Sequence, residues 1–387
     1  MSSAMTLTGI TWNHTRGYLP LVATAQRFGE LHPGVTIEWH KRSLQEFADA
    51  PIERLAERFD LLIIDHPFAG YAAAHPTLLP LDEHMPSEFL ADQAANSVGA
   101  SHPSYEYGGH QWALAVDAAT PVSAYRPDLL ERYGVAPPKT WDDLLAQARR
   151  GLVALPAIPI DSLMHFYMLC IASGGQLFAG DEQVVGKAAG VTALELLREL
   201  VGLCAPACLQ RNPIATYEAL VGGDELVYCP FAYGYSNYAR PEYTRRPLCF
   251  GGLVRFEGRA LRSTLGGTGL AISARCRDLQ PALEYAQFVA GPGCQRGMYT
   301  LSGGQPGHRQ AWLDPALNQA TGDFFLNTLA TLDDAYLRPR YAGYIPFQDH
   351  AGPIVHRYLR EGGDPRATLA EMDGLYRASL TSDKVRE

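Results

Sequence analysis

The sequence predicts an α/β protein that opens with a doubly wound sheet, and the order of its first elements is the reason. Strand-like runs at 7–12 and 35–39 flank a helical segment at 18–31 that stops at a His-Pro-Gly turn. A second helical segment follows at 44–59. The run FDLLIID at 59–65 is almost continuously apolar, as expected for a parallel strand covered on both faces. This β-α-β-α-β order is typical of α/β domains.

Composition narrows the class of protein. A chain of 387 residues suggests two domains at about 100–200 residues each. With 47% hydrophobic and 19% charged residues, it has enough apolar material for sizeable cores. No apolar run approaches the length of about 18 residues that a membrane helix requires. The net charge of −9, without a dense Lys/Arg stripe, argues against a nucleic acid or an anionic membrane as partner.

The N-terminus and the cysteines bear on the compartment. The opening MSSAMTLTGITW has neither the basic region nor the apolar region of a secretory signal peptide. Either a signal has been removed or the protein stays inside the cell, and both readings are open. The seven cysteines are interpreted mostly as small buried apolar residues in a reducing compartment, and their odd number leaves at least one thiol free if the others pair. Cys204 and Cys208 have no second Cys/His pair at zinc spacing, so no metal site is predicted.

Further along the chain, the pattern still alternates between strands and helices. Two strand-like runs at 110–126 surround Asp117, and residues 161–175 read as an apolar helix. Thr140 and Asp143 have the spacing of a capping box at the start of a helix. The second half therefore also predicts α/β structure.

The order of these segments resembles that of the family 1 extracellular solute-binding proteins of ABC importers, the maltose-binding-protein-like group. The most specific segment is AYRPDLLERYGVAPPKTWDDLL at 124–145, in which Arg126 replaces the Asn usual in that family. The other matching segments are a helix, turn and strand, a buried strand, a Gly-rich turn with its strand, the helix after it and a polar loop, at 19–39, 59–65, 266–273, 282–290 and 302–312. Together, in this order, they make the resemblance specific.

The resemblance implies a two-lobed periplasmic-binding-protein fold, each lobe a doubly wound sheet flanked by helices, with a ligand cleft between the lobes. Lobe one is expected to hold 1–116 plus 264–310, and lobe two 117–263 plus 311–387. Proteins of this kind close like a hinge because the bound ligand contacts both lobes. No cofactor and no metal are expected.

Candidate ligand-binding residues follow the strands of lobe one, because ligands of open α/β sheets sit beyond the carboxyl ends of strands. Trp12, His14 and Arg16 come after the first strand, where Arg16 could grip a carboxylate or phosphate and Trp12 could stack on a sugar ring. The alternative is a core Trp12 and a solvated Arg16. Asp65 and His66 end the third strand, where Asp65 could instead cap the next helix.

Further candidates depend mainly on the resemblance. Asp117 lies near the first predicted crossover between the lobes. In the aromatic segment at 231–243, Tyr233, Tyr235 and Asn237 are expected to face the ligand, the alternative being a packed strand with its phenols at the surface. Gly267 allows close approach of the backbone, or is a plain hinge turn. The last candidates belong to the polar loop at 302–312: Gln305 and Arg309.

These features predict the solute-binding component of an ABC-type importer, which captures a sugar, a sugar acid or another small carboxylate. The expected partners are that ligand and a membrane permease, with no nucleic acid, and the protein is expected to be a monomer. The resemblance implies a periplasmic location, with the cytoplasm as the alternative. A different hypothesis is a cytoplasmic enzyme or an intracellular ligand sensor on the same fold.

An enzyme would use Asp65 and His66 as its acid–base pair. Adjacent strand residues point to opposite faces, so they form such a pair only if a turn begins there. No G-x-S-x-G, H-E-x-x-H or dinucleotide fingerprint occurs in the chain. A protein without catalytic activity is therefore the expectation.

Overall fold

The computed structural model describes residues 5–43 and 51–384. The chain divides into two compact units. Unit 1 comprises Met1–Ala119, Leu265–Leu329 and Arg340–Ala342. Unit 2 comprises Thr120–Thr264, Ala330–Pro339 and Gly343–Glu387.

Within the described residues, the strands follow one another along the chain as β1 Met5–Trp12, β2 Val35–Arg42, β3 Leu61–Ile64, β4 Glu106–Tyr107, β5 His110–Gln111, β6 Leu114–Ala119, β7 Pro121–Tyr125, β8 Tyr228–Tyr233, β9 Cys249–Gly251, β10 Arg255–Phe256, β11 Arg259–Ala260 and β12 Gly266–Ile272.

The helices follow in the same way as α1 Thr15–Leu31, α2 Ile52–Ala56, α3 Phe68–Ala74, α4 Ser87–Ala95, α5 Pro127–Tyr133, α6 Trp141–Arg149, α7 Pro159–Ala172, α8 Lys187–Leu203, α9 Pro213–Gly222, α10 Leu279–Ala290, α11 Pro292–Cys294, α12 Arg309–Trp312, α13 Pro315–Ala320, α14 Phe324–Asp333, α15 Tyr344–Glu361 and α16 Pro365–Lys384. Of the helix predicted at 44–59, residues 44–50 lie outside the described residues, and α2 is its described part. None of the described helices combines the length and apolar character needed to cross a membrane.

Unit 1 is built on a five-stranded sheet in the order β2-β1-β3-β12-β6. Strand β1 pairs in parallel with β2 and β3, whereas β12 runs antiparallel to β3 and β6. Strand β3 is buried along its whole length, as its apolar run predicted. The core joins Ile63 and Val116 of the sheet to Phe28 of α1 and Tyr285 of α10. The predicted α/β fold class is confirmed.

Unit 2 has a smaller sheet than the doubly wound one expected for each lobe. Its three strands are antiparallel, in the order β8-β7-β9, and most of the unit is helical. Helix α7 is buried along nearly its whole length and packs against α8 and α15. The predicted capping box is confirmed at α6, where Asp143 N donates to Thr140 Oγ1 at 3.1 Å and Thr140 N donates to Asp143 Oδ2 at 3.0 Å.

The division into units differs from the predicted lobe boundaries at 311–329, which belong to unit 1 rather than to the second lobe. Trp312 explains the difference, because its indole Nε1 donates to Pro306 O at 2.6 Å. Its ring also packs against Phe325, with 5.1 Å between centroids. The segment therefore follows the polar loop onto unit 1. Residues 117–119 also belong to unit 1, because β6 continues through them.

All seven cysteines lie within the described residues and have free thiols, five of them buried. This agrees with their interpretation as small apolar residues.

Candidate functional site

Arg16 and Asp117 form a buried ion pair in unit 1. Arg16 Nε donates to Asp117 Oδ2 at 2.8 Å, and Arg16 Nη2 bonds to Oδ1 of the same carboxylate. Only 3% of Arg16 and 1% of Asp117 is exposed. Burial raises the pKa of the Asp117 carboxyl, and the Arg16 charge opposes that rise. Two residues predicted separately as ligand-binding residues therefore bind each other.

His14 caps the helix that carries Arg16. Its Nδ1 accepts a hydrogen bond from Arg16 N at 3.0 Å, which satisfies a free N–H of the first turn of α1. Burial and the nearby Arg16 charge lower the pKa of His14 to about 4, so its imidazole is neutral near pH 7. His14 and Arg16 therefore present one positive charge between them, and Asp117 balances it.

Trp12 lies in the hydrophobic core at the end of β1, and 3% of it is exposed. Its indole occupies the space beside Gly17, where a Cβ would come within 2.3 Å of the ring. The Arg16 guanidinium lies 6.0 Å from the centroid of the indole. These surroundings match the alternative that Trp12 is a core residue. Stacking of Trp12 on a ligand stays a prediction.

The polar loop docks on β6 beside Asp117. Gln305 Nε2 donates to Ala118 O at 2.8 Å, and Ala118 N donates to Gln305 O at 3.0 Å. On the other side of Asp117, Gly267 has a φ of 95°, and a Cβ there would lie 2.4 Å from Asp117 O. A glycine is required because both the backbone conformation and the space exclude a side chain. Asp117, Gly267 and Gln305 thus meet around one strand.

Arg309 bonds to a part of unit 1 other than β6. Its Nε donates to Ser97 O at 2.9 Å, and its backbone N donates to Asn96 O at 2.7 Å. These bonds anchor the start of α12. A ligand contact of Arg309 stays a prediction.

Asp65 and His66 stand where β3 turns towards α3. His66 N donates to Asp65 Oδ1 at 2.9 Å, and His66 Nδ1 lies 3.1 Å from the same oxygen. A turn does begin at these residues, which is the condition under which adjacent side chains can meet. Asp65 Oδ1 binds the next residue, and no side chain caps α3. His66 is fully buried.

In unit 2, the aromatic segment leaves the sheet at the end of β8. Tyr233 is half-buried, and its hydroxyl lies 3.2 Å from Thr264 Oγ1. Tyr235 and Asn237 are buried, the latter in a 3₁₀ turn at Ser236–Ala239. Tyr233 ends strand β8 and Tyr235 is buried, and ligand contact by these residues stays a prediction.

Two buried polar residues of α7 escaped the sequence analysis. Asp161 and His165 stand four residues apart on one face of the helix, with 3% and 1% of each exposed. Among the described residues, neither Asp161 Oδ2 nor His165 Nδ1 has a hydrogen-bond partner. The imidazole of His165 meets Phe231 edge-on, with 4.5 Å between centroids. Phe231 is the first residue of the aromatic segment, so His165 contacts the start of that segment.

Burial controls the charge of this pair. It raises the pKa of Asp161 to about 8 and lowers the pKa of His165 to about 3. Both side chains are therefore mainly neutral at pH 7, and both retain unused hydrogen-bonding capacity. The available sequence signal was the i, i+4 spacing of two polar residues in an otherwise apolar helix.

The described residues contain no group of three or more His, Cys, Asp or Glu side chains that could hold a metal ion. Each unit contains buried polar side chains within an α/β architecture.

Comparisons with known proteins identify the kind of binding protein. Residues 11–203 match the family model of the bacterial extracellular solute-binding proteins. The fold is similar to that of maltose-bound T. maritima MalE3, with a TM-score of 0.83 and 19% identity over 97% of this chain and 100% of that one. It is equally similar to an ABC transporter solute-binding protein from Agrobacterium radiobacter K84 in complex with ribitol, at TM-score 0.83 and 19% identity over 97% and 99% of the two chains.

A curated relative points the same way. A probable ABC transporter-binding protein of Deinococcus radiodurans is 23% identical over 354 residues, covering 82% of this chain and 79% of that protein. The chain matches the family of bacterial extracellular solute-binding proteins over residues 11–203, as its motifs predicted. Its role is solute binding, and the enzyme alternative is not favoured because the family and these similar proteins are binding proteins.

Proposed function

We propose that the protein is the solute-binding component of an ABC-type importer and that it captures an uncharged sugar or polyol. The observation that carries the ligand class is the internal neutralisation of Arg16 by Asp117. The names of the similar structures, which include maltose and ribitol complexes, support the same class.

Arg16 is a candidate from the sequence for binding a ligand carboxylate or phosphate. A guanidinium grips a carboxylate through two parallel N–H donors, and here Nε and Nη2 already hold the Asp117 carboxylate. A ligand carboxylate at this edge would have to displace Asp117 and leave its charge buried and uncompensated, which is costly. A sugar acid or other small carboxylate is therefore disfavoured relative to a neutral ligand.

Asp161 and His165 favour a ligand with hydroxyl groups. A protonated carboxyl donates one hydrogen bond and accepts others, and a neutral imidazole does both. A buried polar group without a partner costs about 1–3 kcal/mol, so a hydroxyl that satisfies it gains that much in binding. Such mixed donors and acceptors match a polyol better than they match a charged ligand.

The aromatic segment supplies the apolar component of recognition. Tyr233 and Tyr235 offer broad, rigid contact area with two side-chain torsions each, so little conformational entropy is lost on binding. A pyranose or polyol has C–H faces that pack on such rings. Ligand contact by these tyrosines is part of the proposal.

The family is extracellular, which supports action outside the cytoplasmic membrane with an ABC permease as partner. We propose that the protein works there as a monomer and binds no nucleic acid. The acidic net charge of −9 agrees with the last point.

The test is a thermal-shift and calorimetry screen of protein refolded from denaturant to remove carried ligand. The panel contains neutral sugars and polyols, each matched with its sugar acid. We expect one neutral compound to stabilise the fold, by about 2.7 kcal/mol at 100 times its Kd, and to be recovered unchanged. Tighter binding of a sugar acid than of its neutral counterpart would contradict the ligand class, and consumption of the compound would contradict a pure binding role.

A further inference from the structure

Tyr217 of α9 lies beside the point where the aromatic segment leaves the sheet of unit 2. Its side chain is fully buried, and its hydroxyl donates towards Ala232 O and Tyr233 O, each at 3.1 Å. Strand β8 is an outer strand of the sheet. The Tyr217 hydroxyl supplies a donor to the carbonyl groups of its last two residues.

The ring of Tyr217 also packs against the aromatic segment. Its centroid lies 6.3 Å from that of Tyr235 and 5.2 Å from that of Tyr238. On the neighbouring position of α9, Glu218 Oε1 accepts a hydrogen bond from the Tyr238 hydroxyl at 2.7 Å. Helix α9 thus contacts the main chain of the aromatic segment, its rings and the hydroxyl of Tyr238.

Helix α9 has a defined start, which makes it a firm support. Asn212 Oδ1 accepts from Ala215 N at 2.8 Å, and Thr216 Oγ1 donates to Asn212 O at 3.0 Å. These bonds satisfy the first turn of the helix. The position of Tyr217 relative to β8 is therefore set by structure that contains none of the predicted ligand-binding residues.

We propose that Tyr217 is a positioning residue for ligand binding, which acts through the backbone of Ala232 and Tyr233 and sets how Tyr233 and Tyr235 are presented. This inference rests on the proposed function, in which these two tyrosines contact the ligand. A side chain held in its binding orientation loses less entropy when the ligand arrives, so preorganisation raises affinity without adding a contact.

The variant Tyr217→Phe removes the hydroxyl and keeps the ring. We expect the Kd for the neutral ligand found in the screen to rise about three- to tenfold, the equivalent of one lost hydrogen bond. The control is Tyr285→Phe in unit 1, whose fully buried hydroxyl donates to Leu21 O at 3.2 Å, accepts from Trp39 Nε1 at 3.0 Å and lies 3.0 Å from Thr24 Oγ1. This control is expected to lower the melting temperature at least as much and to leave the Kd unchanged.

A double-mutant cycle separates positioning from general stability. If Tyr217 acts through Tyr233, then Tyr217→Phe has little further effect on the Kd in a Tyr233→Leu background. Should Tyr217→Phe fold poorly, Glu218→Ala tests the same support from an exposed position and is expected to weaken binding in the same direction.

The outcomes are distinguishable. Normal binding by the wild type with an unchanged Kd in both Tyr217→Phe and Glu218→Ala overturns this inference alone. Equal weakening in Tyr217→Phe and Tyr285→Phe also overturns it, because the effect is then one of stability. No binding by the wild type to any member of the panel overturns the proposed function and this inference together.

Discussion

Arg16 and Asp117 are 101 residues apart in the sequence and share two hydrogen bonds inside unit 1. The first follows β1, and the second lies in β6 at the opposite end of the sheet order from β2. Their contact makes Asp117 the counter-charge of Arg16. It also changes what Arg16 can do, because a guanidinium engaged by its own chain is a poor receptor for a ligand anion.

Removing one member of this pair is expected to lower the free energy of unfolding much more than removing both. Asp117→Leu leaves the Arg16 charge buried without its partner, so we expect the free energy of unfolding to fall by about 3–5 kcal/mol. The double variant Arg16→Met, Asp117→Leu is expected to recover much of that loss, because no charge then remains buried. Urea denaturation of Arg16→Met, Asp117→Leu and the double variant measures these losses, and strictly additive losses would contradict the prediction.

Asp161 predicts a pH dependence of stability. Its pKa rises from 3.8 in the unfolded chain to about 8 in the folded protein, so the folded state holds the proton more tightly. Stability from this group is therefore fully present below about pH 4 and is lost as the pH rises to about 8, at about 1.4 kcal/mol per pKa unit. Between about pH 4 and 6.5 the burial of His165 gives the opposite slope, so we expect the decline to appear in urea denaturation between about pH 6.5 and 8 and Asp161→Asn to abolish it there.

His165 provides the opposite control. Its pKa falls from 6.5 to about 3 in the folded protein, so stability is lost as the pH falls from about 6.5 to about 3. His165→Gln is expected to remove this acid-side loss and to leave the decline above pH 6.5 intact. Identical pH profiles for wild type and both variants would mean that neither group is as buried as the structure has it.

Gly267 is expected to tolerate no side chain. Gly267→Ala combines a left-handed backbone with a Cβ 2.4 Å from Asp117 O, so we expect a loss of about 2–5 kcal/mol and weaker ligand binding. Gly258 is the matched control, with a φ of 78° and no atom within 4 Å of an added Cβ. Gly258→Ala is expected to cost only about 1–2 kcal/mol, with the Kd unchanged. Equal costs in thermal denaturation would show that the contact with Asp117 is unimportant.

The capping box of α6 offers a test that is independent of the ligand. Thr140→Ala removes the acceptor for Asp143 N, and we expect a loss of about 1 kcal/mol in unfolding free energy. Thr381→Ala is the control, since that exposed hydroxyl donates only within its own helix, to Ala378 O. A loss no greater than in this control would remove the capping box as a stabilising feature.

Much of the fold follows from local sequence patterns. The strands at 7–12 and 35–39 appear as Met5–Trp12 and Val35–Arg42, and the capping box forms as its spacing predicted. Apolar periodicity and cap chemistry act over a few residues, so they can be read without knowledge of the rest of the chain. The transfer of 311–329 to unit 1 could not be read in this way, because it depends on Trp312 reaching Pro306 and Phe325.

The candidate site also contains residues that the sequence predicted and residues that only the structure revealed. The strand-end rule and the family resemblance placed Arg16, Asp117, Gly267 and Gln305 among the candidates, and the structure brings them together around β6. Asp161 and His165 were missed because a polar residue in an apolar helix can face solvent, a partner or a cavity, and spacing alone does not choose among these.

The sequence by itself therefore determined the α/β order of the first elements, the capping box of Thr140 and Asp143, and the resemblance to the solute-binding proteins. Only the tertiary structure decided that Arg16 is neutralised by Asp117 and that Asp161 and His165 are buried in neutral form. The physical reason is that the energy of a charge depends on its burial and on its partners, and these come from residues far apart in the chain.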